Sequence, residues 1–205
     1  MTLMGTAEGQ ALLRQNIRYD ADLQGYWVTL YVDGEPTPFF VDRAIAGGVR
    51  EAGGTPGIAT LYEAAMREYL TFADLHDGGV ASQVYPLITG RDSHEMKSAA
   101  DGWNYPALRR ELDESGYMVA SSLNDRDPLM PATVEVRRPT PYGTYWTDSV
   151  TVVGSHAYAV VAVTDEGVWV MNPHGPGNPA DQGGKFLLSR EDFDRLFWRV
   201  SMGEV

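Results

Sequence analysis

Gly154-Ser155-His156-Ala157-Tyr158-Ala159-Val160, a polar break at Thr164-Asp165-Glu166-Gly167, and Val168-Trp169-Val170-Met171-Asn172-Pro173-His174-Gly175 form the stretch around which the chain is organised. Two runs rich in β-branched and aromatic residues on either side of a Gly-containing turn predict a β-hairpin. His156 opens the first strand and Asn172 closes the second. On neighbouring strands, such a pair can serve as a general base and the amide that orients it. Parity decides whether the two meet. With an even loop and a regular ladder, Asn172 falls opposite Ala159 and points away from His156. An odd loop or a β-bulge shifts the pairing by one and puts both side chains on one face, on a diagonal of ~7 Å or less. The hairpin is therefore expected to contain such an irregularity. Ser155 is no nucleophile for its neighbour, because adjacent strand residues point to opposite faces.

Composition narrows the function classes. Sixteen Lys+Arg stand against 28 Asp+Glu, a net charge of −12. A surface of that sign repels phosphate backbones and anionic membranes, so neither nucleic acid nor membrane is expected as a partner. No apolar run approaches the ~20 residues of a membrane span. The first ten residues lack the basic-then-apolar layout of a signal peptide, so the expectation is a soluble protein, cytoplasmic by default. The 205 residues contain no cysteine, which removes disulfides, thiolate metal sites and a cysteine nucleophile within them. His76, His94 and His174 show no metal-ligand spacing, and Asp125-Arg126-Asp127 and Glu191-Asp192-Asp194 lack the pattern of a calcium loop.

Outward from the hairpin, residues 7–16 read as a helix. Residues 26–32 and 39–41 read as strands joined at Asp33-Gly34. Thr60 with Glu63 reads as a capping box opening a helix through Leu70. Asp77-Gly78-Gly79 and Gly90 read as breaks. A helix is expected over 105–114 with Asn104 as cap, then a buried strand over 117–121. Residues 124–145, with four prolines, read as a long surface loop. Residues 185–188 read as a strand, Ser189 and Asp192 as the cap of a short helix, and 197–202 as a last strand. The layout is α+β with two lobes: a helical part over 1–116, and an antiparallel β-rich part over 117–205 that carries His156 and Asn172.

Taken together, these residues resemble the calpain family of papain-like cysteine peptidases, nearly along the whole chain and in order. Ser155-His156-Ala157-Tyr158 is similar to the family's Gly-His-Ala-Tyr strand start, and Asn172-Pro173-His174-Gly175 to its Asn-Pro-Trp-Gly segment. The hairpin from Gly25-Tyr26-Trp27 to Val41-Asp42-Arg43, the helix at Leu61-Tyr62-Glu63, the glycine turns at Gly78-Gly79 and Gly90, and the closing segment from Lys185 to Arg199 follow the family's order. Within the matched segments three residues depart from the pattern. His174 replaces the Trp that shields the Asn–His bond, Arg91 replaces a second Gly, and Ser155 replaces the Gly before the His.

The resemblance implies a papain-like, calpain-like two-lobe fold and peptide-bond hydrolysis. It makes His156 and Asn172 catalytic, and Gly78, Gly79, Gly90 and Ser155 cleft-lining candidates. The substrate would be a protein or peptide. The family's Cys helix and oxyanion-hole Gln have no counterpart here, so the chain alone is expected to be inactive and to rely on a Cys segment or further domains of a longer chain. No cofactor is expected. Calcium dependence belongs to part of the family, and none of its ligands is matched. The alternatives are a degenerate relative acting as a protein-binding module, and a transglutaminase- or acyltransferase-like enzyme.

Overall fold

A computed structural model describes residues 3, 6–44, 54–70, 81–173 and 184–203. It is α+β, with two antiparallel sheets, and divides into two compact units between Ser93 and His94. The division falls ahead of residue 116, because the helix that follows Asn104 packs with the sheet of the second unit. Among the described residues no helix is long and apolar enough to cross a membrane.

The first unit runs α1 (Ala7–Gln15), β1 (Ile17–Asp20), β2 (Gly25–Val32), β3 (Glu35–Asp42), α2 (Ile58–Tyr69) and α3 (Ala81–Thr89). Thr6 caps α1, its hydroxyl accepting from the Gly9 N–H at 3.1 Å. Asp33 and Gly34 join β2 to β3 with both φ positive, 52° and 82°. That is the two-residue turn whose twist suits a hairpin, and it sets the register Val32 opposite Glu35. Strands β1, β2 and β3 lie in that order, and α2 and α3 pack on β2 over buried Val28, Leu30, Leu61 and Ala65.

One reading is corrected here, and one element is added. Helix α2 starts at Ile58 with Gly57 as its cap, so Thr60 lies inside the helix, buried, and forms no capping box. Glu63 instead pairs with Arg67 one turn on. Residues 81–89, left without an element in the sequence, form helix α3 around Pro86; Gly90 ends it at φ 71°, donating to the Pro86 carbonyl at 2.9 Å.

The second unit holds β4 (Ser93–Lys97), α4 (Tyr105–Ser115), β5 (Met118–Ser122), β6 (Ala132–Pro139), β7 (Tyr145–Val152), β8 (Ala157–Val163), β9 (Gly167–Asn172), β10 (Gly184–Ser189), α5 (Arg190–Leu196) and β11 (Phe197–Gly203). The sheet order is β4-β11-β5-β8-β9-β10-β6-β7. Met202, Met118, Val160, Val170 and Phe186 form one row of partners across five strands, and all are buried. Helices α4 and α5 pack against these strands through Leu108, Phe193 and Leu196. Burying each such side chain contributes on the order of 1.5–3 kcal/mol, so this face is the main source of stability for the platform under the site.

The loop expected over 124–145 is also corrected. β6 and β7 pair along their whole length, from Ala132 opposite Val152 to Pro139 opposite Tyr145. Ala132, Val134 and Val136 are buried while Thr133 and Glu135 are exposed, a two-residue period that proline density masked. Pro128 and Pro131 precede the ladder, and Pro139 and Pro141 lie at its turn end.

Candidate active site

His156 stands one residue ahead of β8, and Asn172 is the last residue of β9. Near the turn, Val163 pairs with Val168 and Ala162 with Trp169. Past Val161 the register shifts, to Val160 with Val170 and Ala159 with Met171. Val161 is thus the extra residue of a β-bulge, the irregularity that parity demanded. Continuing the shifted register sets Asn172 across from Tyr158, two residues from His156 and on the same face. The side chains meet: His156 Nε2 lies 3.1 Å from Asn172 Oδ1.

An amide oxygen only accepts, so in this contact Nε2 carries the hydrogen and the lone pair resides on Nδ1. Asn172 is fully buried, where a hydrogen bond weakly challenged by water holds its geometry well. The His156 ring also meets Tyr158 edge-on, with centroids 4.9 Å apart and planes at 88°. Tyr158 is itself fixed, packed edge-on against Phe186 and Phe197 with its hydroxyl accepting from the Val153 N–H at 3.0 Å. Burial raises the Tyr158 phenol above its ordinary range, so it stays neutral beside the histidine.

The approach to His156 is built from close backbone contacts. A Cβ on Gly154 would stand 2.6 Å from the Asp125 Cα, so only glycine fits there. Ser155 has φ 50°, a left-handed conformation that favours glycine. Its N–H donates to the Leu123 carbonyl at 2.7 Å, and its Oγ accepts from the Asp125 N–H at 3.0 Å. A serine thus stands at a position where the backbone favours glycine, and its hydroxyl is anchored to Asp125. Ser122, which the sequence reading passed over, touches His156 through the backbone on both sides. Its only signal was the alternation Met118, Ala120, Ser122 along a buried strand.

Of the other candidates, Gly90 belongs to the first unit, where it ends α3 against the Tyr31 ring. Gly78, Gly79, His76, His174 and Gly175 lie outside the described residues. His94 pairs with Glu111 at 3.0 Å. Asp194 accepts from the Trp103 N–H at 2.8 Å and from the Tyr105 hydroxyl at 3.1 Å, which ties the loop before α4 to α5. Among the described residues, no three His, Asp or Glu side chains converge as a metal ion would require.

The sequence matches no known protein-family model and no curated protein.

Proposed function

We propose that the chain carries the base half of a papain-like cysteine peptidase site of the calpain type, on a two-lobe fold of that kind, with His156 as general base and acid and Asn172 as its orienting amide. The observation that carries this reading is the 3.1 Å contact between His156 Nε2 and Asn172 Oδ1, reached only through the bulge at Val161. A packing histidine needs no such register shift. The ordered resemblance along the chain supports it as well.

The nucleophile is a cysteine thiolate supplied by polypeptide outside these 205 residues, which hold no cysteine. The Nδ1 lone pair of His156 takes the thiol proton, giving a thiolate–imidazolium pair, and the sulfur then attacks the scissile carbonyl carbon as the carbonyl pair moves to oxygen. Collapse expels the amine, which takes a proton from His156 Nδ1. Water then adds to the thioester and gives its proton to Nδ1, releasing the acid and restoring the thiolate. Through both steps Asn172 holds the ring in one tautomer and one orientation.

The test is hydrolysis of an unfolded protein substrate such as casein by the full protein as the cell makes it. His156→Ala is expected to lower the rate about 10²–10⁴-fold, the usual contribution of a positioned acid–base group. Asn172→Ala is expected to lower it less. A full protein with no hydrolysis above background, or hydrolysis indifferent to His156, overturns the reading in favour of a degenerate homologue that acts as a protein-binding module.

A further inference from the structure

We infer that Ser122 is the positioning residue for His156, acting on its backbone so that its ring can meet Asn172. The inference rests on the reading of His156 and Asn172 as a base and its orienting amide.

In an antiparallel ladder, a hydrogen-bonded pair of residues exchanges two bonds, each N–H reaching the other's carbonyl. Ser122 and His156 keep one of these, from the Ser122 N–H to the His156 carbonyl at 3.0 Å. The reciprocal bond is altered: the His156 N–H donates to Ser122 Oγ at 3.0 Å. The same hydroxyl has the Val153 carbonyl at 2.7 Å and the His156 carbonyl at 3.1 Å within reach of its one proton. The chain bends at Ser155, φ 50°, immediately before His156, so the strand has not yet begun and a regular ladder bond is lost. A side-chain oxygen takes its place and ties 153 and 156 together across the bend.

Ser122 is 2% exposed, and Asn172 is 0% exposed on a different strand. The Asn172 amide is thus held in the core, and the freedom left in the pair belongs to His156. Ser122 removes that freedom from the inner side; the Ser155–Asp125 contacts do so from the outer side. A small residue with a hydroxyl meets the need at position 122. Alanine removes both acceptor and donor, and leaves a half-buried N–H at the base of the site.

The experiment uses the 205-residue chain with ¹⁵N-labelled histidine, read by long-range ¹H–¹⁵N NMR and by amide hydrogen exchange. In the parent chain, neutral His156 is expected as the Nε2–H tautomer, with a protected amide. Ser122→Ala is expected to move the ring towards the tautomer mixture of free imidazole. It should also lower protection of the His156 amide about tenfold, the equivalent of one lost hydrogen bond, while Val160 and Val170 in the sheet keep theirs. Ser122→Thr, which retains the hydroxyl, should restore the tautomer bias. Should the alanine variant not fold, the nearly isosteric Ser122→Cys, a poor acceptor, takes its place with the same expected shift. A folded Ala or Cys variant with His156 signals unchanged overturns the assignment. These signals need neither substrate nor thiol, so a failure of hydrolysis would leave them standing, and their failure would leave hydrolysis to its own test.

Discussion

His156 and Asn172 meet on one face of β8 and β9 because Val161 is an extra residue between them and the turn. The relation makes the pair sensitive to its local charge. Asn172→Asp places a carboxylate where the amide oxygen now accepts from Nε2, and a buried opposite charge favours imidazolium. The His156 titration, followed by NMR, is expected to move up by about one unit or more. Asn172→Leu, which removes the acceptor, is expected to abolish the tautomer bias.

Ser155 separates backbone strain from side-chain anchoring. Ser155→Ala loses the hydroxyl contacts to Asp125 and keeps a Cβ at φ 50°. Ser155→Gly loses the same contacts and removes the left-handed penalty, roughly 1 kcal/mol. In urea unfolding, the alanine variant is therefore expected to be the less stable of the two by about that amount.

Gly90 and Gly116 both end helices with left-handed φ, 71° and 69°. A Cβ at Gly116 would meet no atom within 4 Å, whereas at Gly90 it would stand 2.7 Å from the Tyr31 ring. Gly116→Ala should cost about 1 kcal/mol, the conformational penalty alone. Gly90→Ala should cost more, because the ring must move as well, and thermal melts of the two variants compare them directly.

Three buried tyrosines shape the alkaline limb of stability. Desolvation raises Tyr62 to about 12, and burial also raises Tyr105 and Tyr158. A proton held more tightly in the folded chain contributes stability that is complete below the unfolded phenol range near 10. That contribution is lost as the pH rises towards 12. Stability to urea should thus fall between pH 10 and 12, and phenolate absorbance at 295 nm should show a late fraction that appears together with unfolding.

Local chemistry made much of the fold legible. Asp33-Gly34, Asn104 and the Ser189–Asp192 pair each specify a turn or cap from a few neighbouring residues, and each stands where the sequence puts it. The bulge was legible for another reason: the side-chain period of two makes a same-face pair incompatible with the regular register. What escaped depends on distant partners. The β6–β7 pairing draws its apolar face from the core, Thr60 is buried by the packing of α2 and does not cap it, and α3 tolerates Pro86 within a packed unit. Ser122 shows no motif because its function lies in two backbone groups 31 and 34 residues further on.

The most direct measurement is the pH dependence of iodoacetamide alkylation of the full protein as the cell makes it, comparing the parent with His156→Gln. If His156 is the base of a cysteine peptidase site, the parent thiol should react as a thiolate well below the ordinary thiol range near 8.5, and the variant's profile should move up to that range. Identical profiles near 8.5 in both proteins, or a full protein without any cysteine, would contradict the account.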